Sequence, residues 1–150
     1  MNNSINIRKA TQADLDGVEV VENECFDGDQ FSRRQFSYLI SHAKGSFLVA
    51  ELGGNIIGYI SLLQHSGSRS VRIYSVAVVP AYRGRQLGQR FVDISKEYAK
   101  EKGLRQVSLE VNINNKAAIS LYHKNGFVVT TAIREYYHDG SDALRMRTFF

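Results

Sequence analysis

The chain has 150 residues, 43% of them apolar and 23% charged, with a formal net charge of +4 at pH 7. That size suits one domain, expected over residues 1–150, with a substantial core, and the composition excludes a disordered chain. Its single cysteine, Cys25, rules out an internal disulfide and a multi-cysteine zinc site, and no apolar run approaches the roughly 20 residues needed to span a bilayer.

Ile5 to Lys9 alternates as a short strand does, and Thr11-Gln12-Ala13-Asp14 reads as a capping box opening a helix through Cys25. The polar loop Asp27-Gly28-Asp29-Gln30 follows, and Ser32 to Gln35 opens a second helix marked by Phe36, Leu39 and Ile40. The apolar period then changes from helical to extended. Strands are predicted over Ser46 to Leu52 and Ile56 to Gln64, joined at Gly53-Gly54-Asn55, a hairpin signal, and Ser66-Gly67-Ser68 turns the chain into a strand over Val71 to Val79.

Pro80, the only proline, stops that strand two residues before a basic turn. Leu87, Phe91, Ile94 and Tyr98 mark the inner face of the helix that follows, with Gly103 as its C-cap. A strand over Val107 to Val111 comes next. Asn114 or Asn115 caps a helix bearing Ala118, Leu121 and Tyr122, which ends at Asn125-Gly126. Two final strands, Phe127 to Tyr137 and Ala143 to Phe149, are joined at His138-Asp139-Gly140-Ser141.

The junction Arg83-Gly84-Arg85-Gln86-Leu87-Gly88-Gln89 has the makings of a phosphate cradle. A helix start leaves about four backbone N–H groups without intrahelical partners, and the peptide dipoles place partial positive charge there. Gly84 and Gly88 let a ligand approach closely, while Arg83 and Arg85 add charge. The same residues also fit an ordinary turn with solvated arginines.

The order of elements, with Val76-Ala77-Val78-Val79-Pro80-Ala81-Tyr82-Arg83-Gly84 at its centre, resembles the GNAT superfamily of acetyl-CoA-dependent N-acetyltransferases. The second half narrows the resemblance through Leu109-Glu110-Val111, Asn115, Ala118-Ile119, Leu121-Tyr122, Gly126-Phe127 and the run from Arg134 through Tyr136-Tyr137, Asp139-Gly140 and Asp142-Ala143 to Met146. These residues look like the bacterial ribosomal-protein alanine acetyltransferases, the RimI-like branch. The resemblance implies an α/β fold with a mixed, mostly antiparallel sheet of about seven strands flanked by about four helices. It also implies acetyl-CoA as cosubstrate and an amine acceptor, most specifically a protein N-terminal α-amine. A lysine side chain or small amine is the alternative acceptor, and a non-catalytic acetyl-CoA-binding module a further alternative.

Two departures stand out. Gln86 occupies the position where the family's cradle usually has its central glycine, and Phe26 to Ser32 lacks the Pro-Trp pair common in the acceptor loop of the bacterial alanine enzymes.

Acyl transfer from a thioester to an amine needs a proton acceptor for the amine, donors for the oxyanion and a proton for the departing thiolate. By resemblance, and as the polar member of an apolar strand, Glu110 is the expected base; a carboxylate paired with a neighbouring Lys or Arg is its structural alternative. Tyr122, a phenol protonated at neutral pH, is the expected acid. Main chain at Val76, Ala77 and Val78 is expected along the pantetheine arm, which requires the strands carrying Val76 and Glu110 to part at their ends. Asn115 is expected at the same arm or as a helix cap, and Phe31, Tyr136 and Tyr137 at an acceptor groove. No metal, nucleic-acid or membrane partner is expected: His42, His65, His123 and His138 lack ligand spacing, and the basic residues are dispersed. A cytoplasmic monomer or homodimer is the resulting expectation.

Overall fold

The computed structural model describes residues 4–150. Seven strands, β1 (Asn6–Lys9), β2 (Gly45–Leu52), β3 (Asn55–Gln64), β4 (Ser70–Val78), β5 (Gln106–Asn112), β6 (Val128–Ile133) and β7 (Ala143–Phe149), form one sheet in the order β1-β2-β3-β4-β5-β7-β6. Every neighbouring pair is antiparallel except β4 and β5. The expected mixed, mostly antiparallel sheet is therefore present. Helices α1 (Leu15–Cys25) and α2 (Arg33–Ser41) pack on one face, and α3 (Leu87–Glu101), with α4 (Lys116–Lys124) beside it, on the other.

Local chemistry explains the boundaries. Thr11 N–H donates to Asp14 Oδ2 at 2.8 Å, closing a turn of 3₁₀ helix before α1. Ser32 and Gln35 exchange two bonds at the start of α2, Ser32 N–H to Gln35 Oε1 and Gln35 N–H to Ser32 Oγ, so each satisfies a donor the helix leaves open. Gly53 and Gly54 both have positive φ, 58° and 85°, the backbone that a tight hairpin between twisted strands requires.

The two faces have distinct cores. Tyr59 of β3 points toward α1 and α2, where its ring stacks on Phe47 and meets Phe36 edge-on. Gly58 turns the other way: a Cβ there would lie 3.3 Å from Leu87 and 3.5 Å from Phe91 of α3. Such alternation is what a strand covered on both sides demands.

Three features of the sheet shape the centre of the molecule. The β4–β5 ladder runs from Ser70↔Gln106 to Ile73↔Leu109 and ends there, so Tyr74 to Val78 and Glu110 to Asn112 diverge. On the other side of β4, Ser61 faces Ser75 while Leu62 faces Ile73, which leaves Tyr74 as the extra residue of a bulge. The third feature corrects the sequence expectation: β6 ends at Ile133 rather than at Tyr137. Glu135 has φ 52° and its N–H is held by Asp142 Oδ1 at 3.0 Å, so the backbone leaves the extended region and carries Tyr136 and Tyr137 into the β6–β7 loop.

Candidate active site

The site develops around the gap between β4 and β5. Val79 N–H donates to Ile57 O at 2.9 Å, and an antiparallel ladder alternates its bonding direction residue by residue. Ala77 therefore faces β3, while the main-chain groups of Val76 and Val78 face the gap. The parting of strands that the pantetheine role requires is present. One group there is already engaged, because Val78 O accepts from Arg83 Nε at 3.0 Å and from Cys25 Sγ at 3.3 Å.

At the mouth of the gap stands the N-terminus of α3. Arg90 N–H is the first to close on the preceding turn, at Gln86 O, so the amides of Leu87, Gly88 and Gln89 precede the intrahelical ladder, and no side chain caps them. Gly84 has φ 85° and Gln86 has φ 61°, ψ 17°. A left-handed residue at position 86 explains why glycine is usual there: an L side chain adopts that backbone at a cost. Gly88 serves packing, since a Cβ on it would sit 3.1 Å from Leu121 Cδ2 of α4.

The cradle's side chains are drawn outward or sideways. Arg85 lies over the Tyr82 ring, 5.2 Å from its centroid, and Gln89 is tied to Asn125 through a reciprocal pair of bonds at 2.8 and 2.9 Å. Arg83, as noted, folds back on the end of β4. Main chain and dipole, more than free guanidinium groups, are what this turn offers an anion.

Across the gap, Tyr122 of α4 is buried with its ring against Phe127, and its hydroxyl has no hydrogen-bond partner among the described residues. Burial pushes the phenol up to about 12, because the tyrosinate would be poorly solvated. Asn115, the N-cap of α4, spends its side-chain oxygen on Ala118 N–H at 3.2 Å, the capping role foreseen as its alternative.

Glu110 is held far more tightly than the sequence conveys. Its Oε1 accepts from Arg72 Nε at 2.7 Å and its Oε2 from Arg145 Nε at 2.9 Å, with the carboxylate 6% exposed. Arg145 lies directly opposite on β7. The paired-carboxylate alternative is thus the observed geometry, and both oxygens already carry a charge-assisted bond.

The aromatic residues expected at an acceptor groove gather on the α1/α2 side. Phe31 stacks on Tyr74 with centroids 5.2 Å apart, and Arg72 reaches both the Tyr74 face and, at 3.4 Å, the Tyr136 hydroxyl. Asp29 Oδ2 accepts from His138 N–H at 2.9 Å, tying the α1–α2 loop to the β6–β7 loop. Tyr137 packs against Tyr136, and burial together with the nearby Tyr136 and Glu110 pushes its phenol up to about 12.

A family model described as acetyltransferase (GNAT) family matches residues 15–127. The chain belongs to the GNAT family. Members of this family are enzymes that transfer an acetyl group from acetyl-CoA to an amine, and the RimI-like resemblance read from the motifs is matched by named relatives. The N-alpha-acetyltransferase RimI of Mycobacterium tuberculosis is 31% identical over 147 residues, 95% of this chain and 91% of that protein. A protein of Mycobacterium leprae without assigned function is 32% identical over 97% of this chain, which spans only 41% of its length. In fold, the ribosomal-protein-S18-alanine N-acetyltransferase of Escherichia coli superposes with a TM-score of 0.87 at 23% identity, covering 97% of this chain and 94% of that one.

Several residues at this GNAT site escaped the sequence reading. Arg72, Arg145 and Ser75 meet their partners through strand register, and Tyr59 meets Glu22 through the packing of α1 on β3. Glu22 had a visible signal: it interrupts the apolar stripe Leu15, Val18, Val21 of α1, where a charged residue needs a buried partner.

Proposed function

We propose that this chain acetylates the N-terminal α-amine of a protein or peptide, by direct attack on acetyl-CoA in a ternary complex. The observation that carries the reading is the parting of β4 and β5 beyond Ile73 and Leu109, with an uncapped helix N-terminus at one end and the Phe31, Tyr74, Tyr136 and Tyr137 cluster on the α1/α2 side. A thioester threaded through that gap puts its diphosphate on the amides of residues 84 to 89 and its carbonyl beside Val76 and Val78. No acyl-enzyme is needed in this scheme.

The residues then take these parts. Val76 and Val78 main chain holds the pantetheine arm and polarises the thioester carbonyl, and Tyr122 donates to the thiolate as it leaves. Its free hydroxyl and its protonation at every working pH fit that role. Glu110 is the water-bridged acceptor of the amine's proton, through the lone pairs its two arginine bonds leave over, or the anion that fixes Arg72 and Arg145 beside the acceptor. The whole unit is proposed as a single N-acetyltransferase domain.

The α-amine is favoured over lysine on acidity. With a pKa near 8 it is appreciably neutral at pH 7, whereas a lysine amine near 10.4 is about a hundredfold less so. The name of the Mycobacterium tuberculosis relative supports the same choice. The test sets a lysine-free peptide with a free N-terminus against an N-terminally blocked peptide of equal length with one internal lysine. Acetylation of the first is expected; preference for the blocked peptide, or for a polyamine over both, would overturn the reading.

A further inference from the structure

Glu22 is a carboxylate without a cation. It is 2% exposed on the inner side of α1, and no ion pair reaches it among the described residues. Its Oε1 accepts from Tyr59 Oη at 2.6 Å and its Oε2 from Phe31 N–H at 2.9 Å. Tyr59 Oη in turn lies 2.6 Å from Ser75 Oγ. Ser75 is half-buried and belongs to the stretch of β4 that has left β5, between Tyr74, which stacks on Phe31, and Val76, whose main chain faces the gap. A continuous line of three oxygens therefore runs from a buried carboxylate to the acceptor side of the thioester channel.

We propose that Ser75, Tyr59 and Glu22 form a proton relay that takes the proton from the acceptor amine, with Glu22 as its terminus. This rests on the reading of the gap as the acetyl-transfer site, and it assigns Glu110 the second of its two parts, holding Arg72 and Arg145. With Glu22 ionised, Tyr59 donates to it and Ser75 donates to Tyr59, which leaves a lone pair of Ser75 Oγ open to the cleft. An ammonium group donating there passes one proton to Ser75 as the Ser75 proton moves to Tyr59 and the Tyr59 proton to Glu22 Oε1. The amine becomes neutral, Glu22 becomes uncharged, and no other bond changes. As the thioester collapses, the second proton lost by the nitrogen replaces the one that Tyr122 gives to the thiolate, and after acetyl transfer the relay proton returns by the reverse steps to water in the emptied cleft.

The surroundings suit a relay better than Glu110 does. An ammonium approaching Glu110 meets two guanidinium groups, whereas among the described residues the titratable groups beside Glu22 are Tyr59 on β3 and Cys25 on its own helix, with Arg83 beyond the thiol. Burial raises the Glu22 pKa, partly offset by the bonds from Tyr59 and Phe31, which makes its ionised form a stronger proton acceptor than a solvated glutamate. The rings of Phe36 and Phe47 against Tyr59 keep water from the middle of the line. Tyr59 need never become a tyrosinate, because each oxygen gives one proton as it receives another.

Initial rates are measured with an alanine-leading peptide, a blocked lysine peptide and spermidine, and the fastest amine is used thereafter, so the choice of acceptor is judged separately from the relay. Ser75→Ala, Tyr59→Phe and Glu22→Gln are each expected to lower kcat/KM at least about thirtyfold well below the pKa of an α-amine acceptor, and by less than about threefold above it, where the amine arrives neutral. Acetyl-CoA affinity by calorimetry stays unchanged. The double variant Ser75→Ala with Glu22→Gln is expected to be no slower than the slower single one, since a broken line cannot be broken twice. Ser75→Ala keeps the Glu22–Tyr59 bond and tests the relay even where the other two variants fold poorly. Deficits that are constant across pH, or that multiply in the double variant, would show a merely structural network and overturn the proposal. A readout without turnover is the carbon-13 titration of the Glu22 carboxyl in the acetyl-CoA complex: it is expected to be ionised at about pH 8 and to take up its proton before the exposed glutamates as pH falls. A carboxyl found neutral at that pH would overturn the proposal.

Discussion

Replacing Gln86 by glycine tests the reading of the cradle, because the structure separates the backbone of that residue from its side chain. Gln86 has φ 61° and ψ 17°, is exposed, and makes no side-chain cap to α3. An L-residue in the left-handed region costs roughly 1–2 kcal/mol, which Gln86→Gly removes. Against this, glycine adds about 0.4–1 kcal/mol of unfolded-state entropy. With no side-chain bond to lose, the balance is a gain centred on about 0.8 kcal/mol, within a range of about 0 to 1.6 kcal/mol. For a chain of this length that raises Tm by about 1–4 °C. Gln86→Ala removes the same side-chain atoms beyond Cβ but keeps the strain, so it should not share the gain. Acetyl-CoA titrated by calorimetry should bind Gln86→Gly as tightly as the parent or more tightly, since the proposed cradle binds through main-chain amides and the turn is better pre-organised. A lower Tm, or affinity weakened by more than about threefold, would refute the argument: the amide of Gln86, or the strain itself, would then serve the ligand.

Tyr122→Phe should lower kcat by about 10²–10⁴-fold with acetyl-CoA affinity retained, the pattern of a lost general acid. With its phenol pushed up to about 12, the parent enzyme should show no fall in kcat from Tyr122 as pH rises through 10; such a fall, absent in Tyr122→Phe, would contradict the buried, protonated phenol. Glu110→Gln leaves Arg72 and Arg145 facing a neutral amide, so Tm and kcat should both fall, with an unchanged acid limb in the pH profile. A Glu110→Gln deficit that vanishes above the pKa of the amine would make Glu110 the base and displace the relay.

What could be read from the chain and what could not divide along a physical line. The Gly53-Gly54 hairpin, the Thr11 and Ser32 capping boxes and the helix after the basic turn are written in contiguous residues, and the structure contains each of them. The end of β6 is not legible in the chain, because Phe127 to Tyr137 is apolar and β-branched enough for a long strand whereas β6 stops at Ile133. The left-handed Glu135 that breaks it is fixed by Asp142, seven residues on. Ion pairing at Glu110 is a matter of register: Arg145 is 35 residues away and Arg72 is 38, and a one-residue slip of either strand would turn those guanidinium groups to the opposite face. The parting of β4 and β5 beyond Ile73 and Leu109 has no local mark either; only the proposed thioester channel requires it.

Glu22 stands between the two cases. Its position on the apolar stripe of α1 follows from helical period alone, and a carboxylate facing a core demands donors. Which donors, Tyr59 and the Phe31 amide, depends on how α1 crosses β3 and where the α1–α2 loop returns. The same three-way meeting places the loop, the helix and the open segment of β4 in one hydrogen-bonded unit. Loosening the Phe31 amide would therefore move the proposed acceptor wall and alter the environment of Glu22 together. In the proposed relay, acceptor fit and proton removal are coupled through this carboxylate: an acceptor that displaces Phe31 takes one donor from Glu22 and makes its ionised form costlier to keep, just where the amine must lose its proton.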